Sequence, residues 1–574
     1  MRIAITGIGT ISAIGLNQEQ TLQSLLHEQS GIATMRYLQS AHKQYPVGEV
    51  PLSDEQLHTL SHITDKTLPR TSLLGLIAAR EALQQANICP NSQMAFISGT
   101  TVGGMDLTER NLDRYLRGEH TDTIALHEAS ASTHAIAEQI GDFGFIATPS
   151  TACSSALNAI MLGADMIRSG QIQTALVGGA ESLSLFHFNG FRTLMILDSN
   201  PCTPFDANRN GLNLGEGAGY LFIESEENAL ARGAKILAYI GGYANTCDAF
   251  HQTASSENGE GAYLAMQKAI NMAGIQPRDI DYINAHGTAT PNNDLSESAA
   301  LIRLFGSQMP AVSSTKAFTG HTTSASGGLE AAFCVMAIQN EFIPANLRWT
   351  NTADGLILPV PNTLHKPLHH VICNSFGFGG NESSIVLADR PIDLSTANIS
   401  SKKIEGVVAL DNISTEEISS YVSPAEARRM TTQTRQLVAV ARKALRLSNI
   451  EQPDAILCTT QWGCMQQSMR FLLDMLQTNE QELKPTPFIQ STHNTIASMI
   501  AIQTHNHGYN VTYAQNDTDV NAALTDIQCQ MTLGRIQNAL VLEFDEHVSE
   551  WDEVLKNINQ QTYNIAKATI YSCV

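Results

Sequence analysis

Short apolar runs broken by Gly, Thr and Ser alternate, along the first two thirds of the chain, with longer stretches whose apolar positions recur every three or four residues. The first pattern predicts strands and the second helices. RIAITGIG (2–9), MAFISGT (94–100), TALVGGA (174–180) and GYLFIES (219–225) are strand-like, and TSLLGLIAAREALQQANI (71–88) has a helical period. The alternation starts again with AKILAYIGGYA (234–244), a helix at AYLAMQKAINMAGI (262–275), the strand DYINAH (281–286), a helix at GGLEAAFCVMAIQ (327–339), and the strands VICNSFGF (371–378) and SSIVLAD (383–389). Such alternation predicts a layered α/β fold, with one unit over 1–235 and a second over 236–390. PIDLSTANISSKKIEG then supplies Pro, Ser, Thr and Asn without an apolar period, which places a linker at 391–404.

The remaining residues, 405–574, echo the first unit. RRMTTQTRQLVAVARKALRLSNI is similar to LPRTSLLGLIAAREALQQANI, and DAILCTTQWGCMQQSMRFLLDML to MAFISGTTVGGMDLTERNLDRYL. STHNTIASMIA matches STHAIAEQIG, and GRIQNALVLEFDE matches SGQIQTALVGGAE. Self-similarity of this kind marks a duplicated unit. Registering QNALV (537–541) on QTALV (173–177) without a gap sets Asp517 opposite Cys153, so the third unit reads as a degenerate copy without its nucleophile.

Composition narrows the function. With 43% hydrophobic and 16% charged residues, the chain is a well-packed globular protein. No run of about 18 uncharged apolar residues predicts a membrane span. The apolar N-terminus, MRIAITGIGTISAIG, lacks the basic region and cleavage site of a secretory signal and reads as a first strand. Ten cysteines are scattered with no CxxC pair, which predicts reduced thiols, a cytoplasmic location and no cysteine-built metal site. A net charge of −21 argues against nucleic-acid or anionic-membrane binding.

One stretch concentrates the candidate chemistry. In PSTACSSALNAIMLGADMIRSGQ (149–171), Cys153 stands among small residues just before an apolar helix. A thiol there is either a small core residue or a nucleophile whose thiolate the helix N-terminus stabilises, lowering its pKa. Three further segments accompany it. DYINAHGTATPNNDLSES places His286 after a strand with Thr288 and Thr290 behind it, SSTKAFTGHTTSASGGLEAA holds Lys316, His321 and Glu330, and CNSFGFGGNESSIVL sets Phe378 in a glycine turn between strands. A single histidine after a strand is a common structural feature. Two of them, each before a glycine-rich turn and joined by a candidate thiolate, favour chemistry.

With these motifs in this order, together with FDANRNGLNLGEGAG and SSENGEGAYLAM, residues 1–390 resemble a β-ketoacyl-acyl-carrier-protein synthase of the elongating Cys-His-His type. The resemblance implies a thiolase-like layered α-β-α-β-α fold of two duplicated halves, here with an extra C-terminal half-fold. It implies decarboxylative Claisen condensation of an acyl chain held on Cys153 with a malonyl thioester, and no cofactor beyond the phosphopantetheine of an acyl carrier protein. His286 and His321 would stabilise the enolate, and Lys316 and Glu330 would order the site. The N–H groups of Cys153 and Phe378 would form an oxyanion hole, with Phe378 also the gate. Thr288 and Thr290 would hold the pantetheine, Val102 would line the acyl pocket, and Asp294 and Glu297 match acidic neighbours. The carrier is the expected partner, docking through Lys66, Arg70, Arg114 or Arg117, and the assembly a homodimer or a heteromeric pair. HTTSASG departs from the family's usual small residues by adding hydroxyls beside His321. The alternatives are a non-catalytic chain-length-factor-like partner, a class that fits the third unit, or a thiolase.

Overall fold

The computed structural model describes residues 1–119, 122–394, 404–411, 413–428, 430–516, 519–557 and 560–573. Asp517 and most of the expected linker lie outside the described residues. The strand-like runs of the first two units do form strands, and these join in one ten-stranded sheet. Its order is Phe145–Ala147, Ala95–Gly99, Thr174–Glu181, Gly217–Ser225, Ile3–Ser12, Ala238–Cys247, Asn381–Ala388, His370–Gly377, Tyr282–Asn284 and Ala311–Ser313. Each unit contributes five strands, and the two first strands meet through Ile3–Ile5 paired with Ala238–Ile240.

Numbered within its own unit, each half runs 1-5-4-2-3, with strands 2, 3 and 4 parallel and strand 5 antiparallel to both 4 and 1. The third unit forms a separate five-stranded sheet in the same order and sense, from Ile404–Asp411, Ala455–Thr460, Tyr509–Ala514, Asn538–Asp545 and Ile565–Cys573. The fold therefore contains the unit three times.

Two mostly apolar helices occupy the middle layer. Ser155–Arg168 is buried at all its positions, and Ser326–Asn340 is buried as far as Ile338, as expected of helices with apolar residues nearly all round. They touch each other between the two halves of the sheet. Arg70–Ala86 and Glu260–Ala273 cover the outer faces and keep a solvent side.

The third unit docks on the first within the same chain. After Ala147 the backbone pairs with the last strand-edge residues of Tyr509–Ala514: Ala514 N donates to Thr148 O at 2.9 Å, and Ser150 N to Thr512 O at 2.8 Å. The two sheets thus cover each other's edge, where open N–H and C=O groups would otherwise be exposed. Beside this seam Asp165 is buried against Arg535 (2.7 Å), Gln530 (2.9 Å) and the hydroxyl of Tyr243. Glu480 of the third unit is received by Ser40 Oγ (2.6 Å), Ala41 N (2.9 Å) and Asn189 Nδ2 (2.8 Å). No helix among the described residues is long and apolar enough to cross a membrane.

Candidate active site

The chain turns sharply before the cysteine because Ala152 takes a left-handed φ of 54°, a conformation that costs a residue with a Cβ. Cys153 follows in a short 3-10 turn, Ala152–Ser154, that leads into the helix Ser155–Arg168. Gly377 lies across from this turn. A Cβ there would come within 2.9 Å of Thr151 O and 3.1 Å of Cys153 N, so only glycine lets the strand end pass so close. Ser375 Oγ donates to Cys153 O at 2.8 Å and ties the two segments.

The sequence motifs converge here. Cys153 Sγ and a ring nitrogen from each of His286 and His321 lie within 4.8 Å of one another. His321 Nε2 is 3.1 Å from the sulfur, and its Nδ1 is 3.1 Å from Ser326 Oγ. The two imidazoles meet edge to face, with centroids 5.3 Å apart. The backbone N–H groups of Phe378 and of Cys153 itself lie close enough to the sulfur to favour its thiolate. Lys316 Nζ donates to Glu330 Oε1 at 2.6 Å, with both side chains buried.

Glu297 accepts from the N–H groups of His286 (2.9 Å) and Gly287 (2.8 Å), and Asp294 from those of Ala289 (3.1 Å) and Phe205 (2.7 Å). These two carboxylates are buried and hold the histidine loop.

One expectation fails. Cys153 sits at a helix start, yet its thiol is pushed up to about 12, because burial disfavours the thiolate more than Lys316 and the two N–H groups favour it. Burial, with Lys316 next, holds both His286 and His321 well below the usual imidazole range. The resting pair is therefore a thiol facing a neutral imidazole, which can take the proton as the sulfur attacks. Burial also raises Glu330 to about 7, against the opposing pull of Lys316.

Two cavities meet at Cys153. The wider, of about 480 Å³, is bordered by His286, His321, Thr288, Thr290 and Phe378, with Met195 and Asn292 toward its mouth. The narrower, of about 50 Å³, lies beyond Phe378, which borders both and stacks on Phe191 at 5.4 Å. Val102 lines this second cavity, and so do Phe186, His187 and His127. The third unit contributes a further part of its wall: Trp462, Ser468, Phe488, Ser491, Thr492 and His493. Asn494 Nδ2 also donates to Phe378 O at 2.9 Å.

Sequence reasoning missed these third-unit groups, although the repeat contained a signal: registering TQWGCM (460–465) on TTVGGM (100–105) sets Trp462 opposite Val102, and both line one cavity. Among the basic residues expected to receive a carrier, Arg70 is withdrawn. It is 7% exposed and held by Glu216 (2.6 Å) and Asp54 (2.8 Å). Arg114 and Arg117 are exposed but each pairs with Glu119 at 2.9 Å, and Lys66 is exposed.

Comparison with known proteins agrees with this geometry. Residues 1–229 match the model of the β-ketoacyl synthase N-terminal domain and 237–350 that of its C-terminal domain, while 409–570 match a second N-terminal-domain model. The 3-oxoacyl-[acyl-carrier-protein] synthase 2 of Vibrio cholerae is 30% identical over 406 residues, covering 67% of this chain and 98% of that protein. The enzyme of the same name from Staphylococcus aureus is 32% identical over 408 residues, with the same coverage. Among solved structures, the ishigamide ketosynthase/chain length factor aligns with a TM-score of 0.64 and 31% identity over 68% of this chain and 99% of that one. The PfaC ketosynthase–chain length factor aligns over 100% of this chain and 78% of its own, with a TM-score of 0.79; at 16% identity this shows a shared fold that includes the third unit. The chain belongs to the β-ketoacyl synthase family, condensing enzymes of the thiolase superfamily, and carries a Cys-His-His set.

Proposed function

We propose that this protein elongates a carrier-bound acyl chain by decarboxylative condensation with a malonyl thioester. The observation that carries the reading is the meeting of Cys153, His286 and His321 where a wide channel and a smaller cavity join. An acyl carrier protein would deliver its pantetheine arm through the wide channel past Thr288 and Thr290. His321 Nε2 takes the thiol proton as Cys153 Sγ attacks. The acyl–sulfur bond to the carrier breaks, its thiol leaves protonated, and the acyl chain lies in the small cavity beside Val102. The N–H groups of Cys153 and Phe378 receive the oxyanion of each tetrahedral intermediate.

A malonyl thioester then occupies the channel. Its carboxylate leaves as CO2, and the electron pair of that C–C bond becomes the enolate, stabilised by His286 and His321. The α-carbon attacks the acyl carbonyl, a new C–C bond forms, the C–S bond to Cys153 breaks, and a 3-oxoacyl thioester departs. Lys316 and Glu330 act behind the histidines by fixing the charge around them. All ten cysteines are unpaired, which supports a cytoplasmic location. The third unit covers the edge of the first half within the same chain, so that edge needs no second copy to cover it.

Substitution separates the two steps. Cys153→Ala is expected to abolish acyl loading, whereas Cys153→Gln, whose amide imitates the acylated thioester, is expected to retain CO2 release from malonyl-carrier. Loss of CO2 release in Cys153→Gln would contradict the decarboxylative reading, and a stable acyl adduct on Cys153→Ala would remove Cys153 from its role.

A further inference from the structure

The hydroxyls that HTTSASG adds beside His321 meet the ring at the nitrogen turned away from the cysteine. The backbone of His321 is pinned from both sides: its N–H donates to Asn213 O at 2.7 Å, and its carbonyl accepts from Gly215 N at 2.9 Å. Nε2 faces Cys153 Sγ at 3.1 Å, and Nδ1 lies 3.1 Å from Oγ of Ser326, the first residue of the helix Ser326–Asn340. Behind it, Thr322 Oγ1 is 3.2 Å from Ser326 Oγ. Both residues are buried, and among the described residues the two hydroxyls bond only to each other and to the imidazole.

The partner at one ring nitrogen decides which nitrogen carries the proton of a neutral imidazole. A carbonyl at Nδ1 would hold the proton there and leave Nε2 bare, and a backbone N–H at Nδ1 would hold it at Nε2. A hydroxyl imposes neither, because it can accept or donate. When Nδ1–H donates to Ser326 Oγ, the Ser326 hydroxyl donates onward to Thr322 Oγ1. When Nδ1 is bare, Thr322 donates to Ser326 and Ser326 to the ring. Each arrangement contains two hydrogen bonds.

The two half-reactions make opposite demands on Nε2. Acyl loading needs it bare, to take the thiol proton, and decarboxylation needs Nε2–H, to donate to the enolate oxygen. We propose that Ser326 and Thr322 are positioning residues that let His321 hold either tautomer, so that one ring serves as base in the first half-reaction and as hydrogen-bond donor in the second. This rests on the assignment of both roles to His321. The protons balance. In loading, Nε2 takes the thiol proton and returns it to the departing pantetheine sulfur. Between the half-reactions water gives one proton to Nε2 and takes one from Nδ1, so the charge is unchanged. After condensation the Cys153 thiolate takes the Nε2 proton while Nδ1 regains one from water, and this is the one proton that decarboxylative condensation consumes.

The test uses the full-length protein. Thr322→Val keeps the shape of the side chain and removes its hydroxyl, so the Ser326 proton has only Nδ1 to bond and the ring is fixed with its own proton at Nε2. Loading of Cys153 from pantetheine thioesters of acetic, hexanoic and decanoic acids, read by peptide mass, is then expected to slow roughly three- to tenfold, about what one neutral hydrogen bond supplies. CO2 release from malonyl-pantetheine, measured with the same substitution in Cys153→Gln, should stay within about twofold of Cys153→Gln alone. A general packing defect would slow both steps and does not imitate this split. Ser326→Ala removes the bond to Nδ1 in either tautomer and should slow loading and CO2 release alike. Equal slowing of the two steps by Thr322→Val, or unchanged rates in Ser326→Ala, would overturn the proposal while leaving Cys153 and His321 in their roles. Absence of a label on wild-type Cys153 from all three thioesters would overturn the loading assignment and the proposal with it.

Discussion

Phe488 tests whether the third unit is a working wall of the acyl cavity. Its ring is 3% exposed and lies among four aromatic side chains. Three belong to the first unit, Phe186 and Phe191 at 5.7 Å and His187 at 6.4 Å, and one, Phe471 at 5.8 Å, to the third. The ring also rests on Gly190, where even a methyl group would come within 2.2 Å of it. A buried aromatic side chain removes about 150–250 Å² from water. At about 25 cal/mol per Å² that is about 4–6 kcal/mol, part of which the alanine methyl keeps. Phe488→Ala should therefore cost about 3–5 kcal/mol, and because most of its neighbours are in the first unit, the loss falls on docking between the units. The same change opens the cavity beyond about 50 Å³. The assay pairs urea unfolding with loading of Cys153 from acyl thioesters of two to twelve carbons. The expected result is a lower unfolding midpoint together with a shift of the loading profile toward longer chains. A stability loss below about 1 kcal/mol, or an unchanged length profile, would refute the reasoning.

Other consequences concern the thiol, the gate and the buried ion pair. Because the Cys153 thiol is pushed up to about 12 by burial, its thiolate fraction grows with pH throughout the range from 7 to 10. Alkylation of Cys153 by iodoacetamide should rise steadily with pH across that range, and a plateau near pH 8 would show a lowered pKa instead. Asn494→Ala removes the bond from Asn494 Nδ2 to Phe378 O, one neutral hydrogen bond worth about 0.5–1.5 kcal/mol. Acyl loading should slow by roughly three- to tenfold while His321 and Cys153 remain intact; an unchanged loading rate would mean that Asn494 does not position the gate. Burial raises Glu330 from 4.5 to about 7, so between those values the folded protein keeps a proton that the unfolded chain has released. Stability from this group accordingly falls as pH rises through that window. Glu330→Gln should flatten this part of the stability–pH curve relative to wild type, and an identical slope in the two proteins would contradict the raised value.

Much of this architecture was legible in the residues. The alternation of strand-like and helical runs marked the first two units, and the echo of the first marked the third, because short local elements have strong periodicity; the strand order 1-5-4-2-3 was not legible, since pairing between distant segments sets it. The convergence of Cys153, His286 and His321 was legible through their motifs, since each lies at a strand end or helix start where the chain is sharply constrained. The thiol's ionisation was not legible. A helix start favours thiolate, but burial opposes it, and burial depends on Gly377 and Phe378 arriving from more than 200 residues away. The same holds for Arg70, which looks like surface charge in the sequence and is enclosed by Glu216 and Asp54 in the fold. The third unit's part in the cavity was hidden because Trp462, Phe488 and His493 read as ordinary core residues of a repeat. Only the docking of one unit on another brings them to Cys153.

In the proposed reaction Cys153 carries an acyl chain and passes it to a decarboxylated malonyl unit. Wild-type protein loaded with a labelled acyl thioester, mapped by peptide mass and then chased with malonyl-carrier tests it most directly. The expected result is a label on Cys153 and on no other cysteine, followed on the chase by one CO2 for each label lost and a 3-oxoacyl-carrier two carbons longer than the label. A label elsewhere, or release of the label as the free acid without CO2, would contradict it.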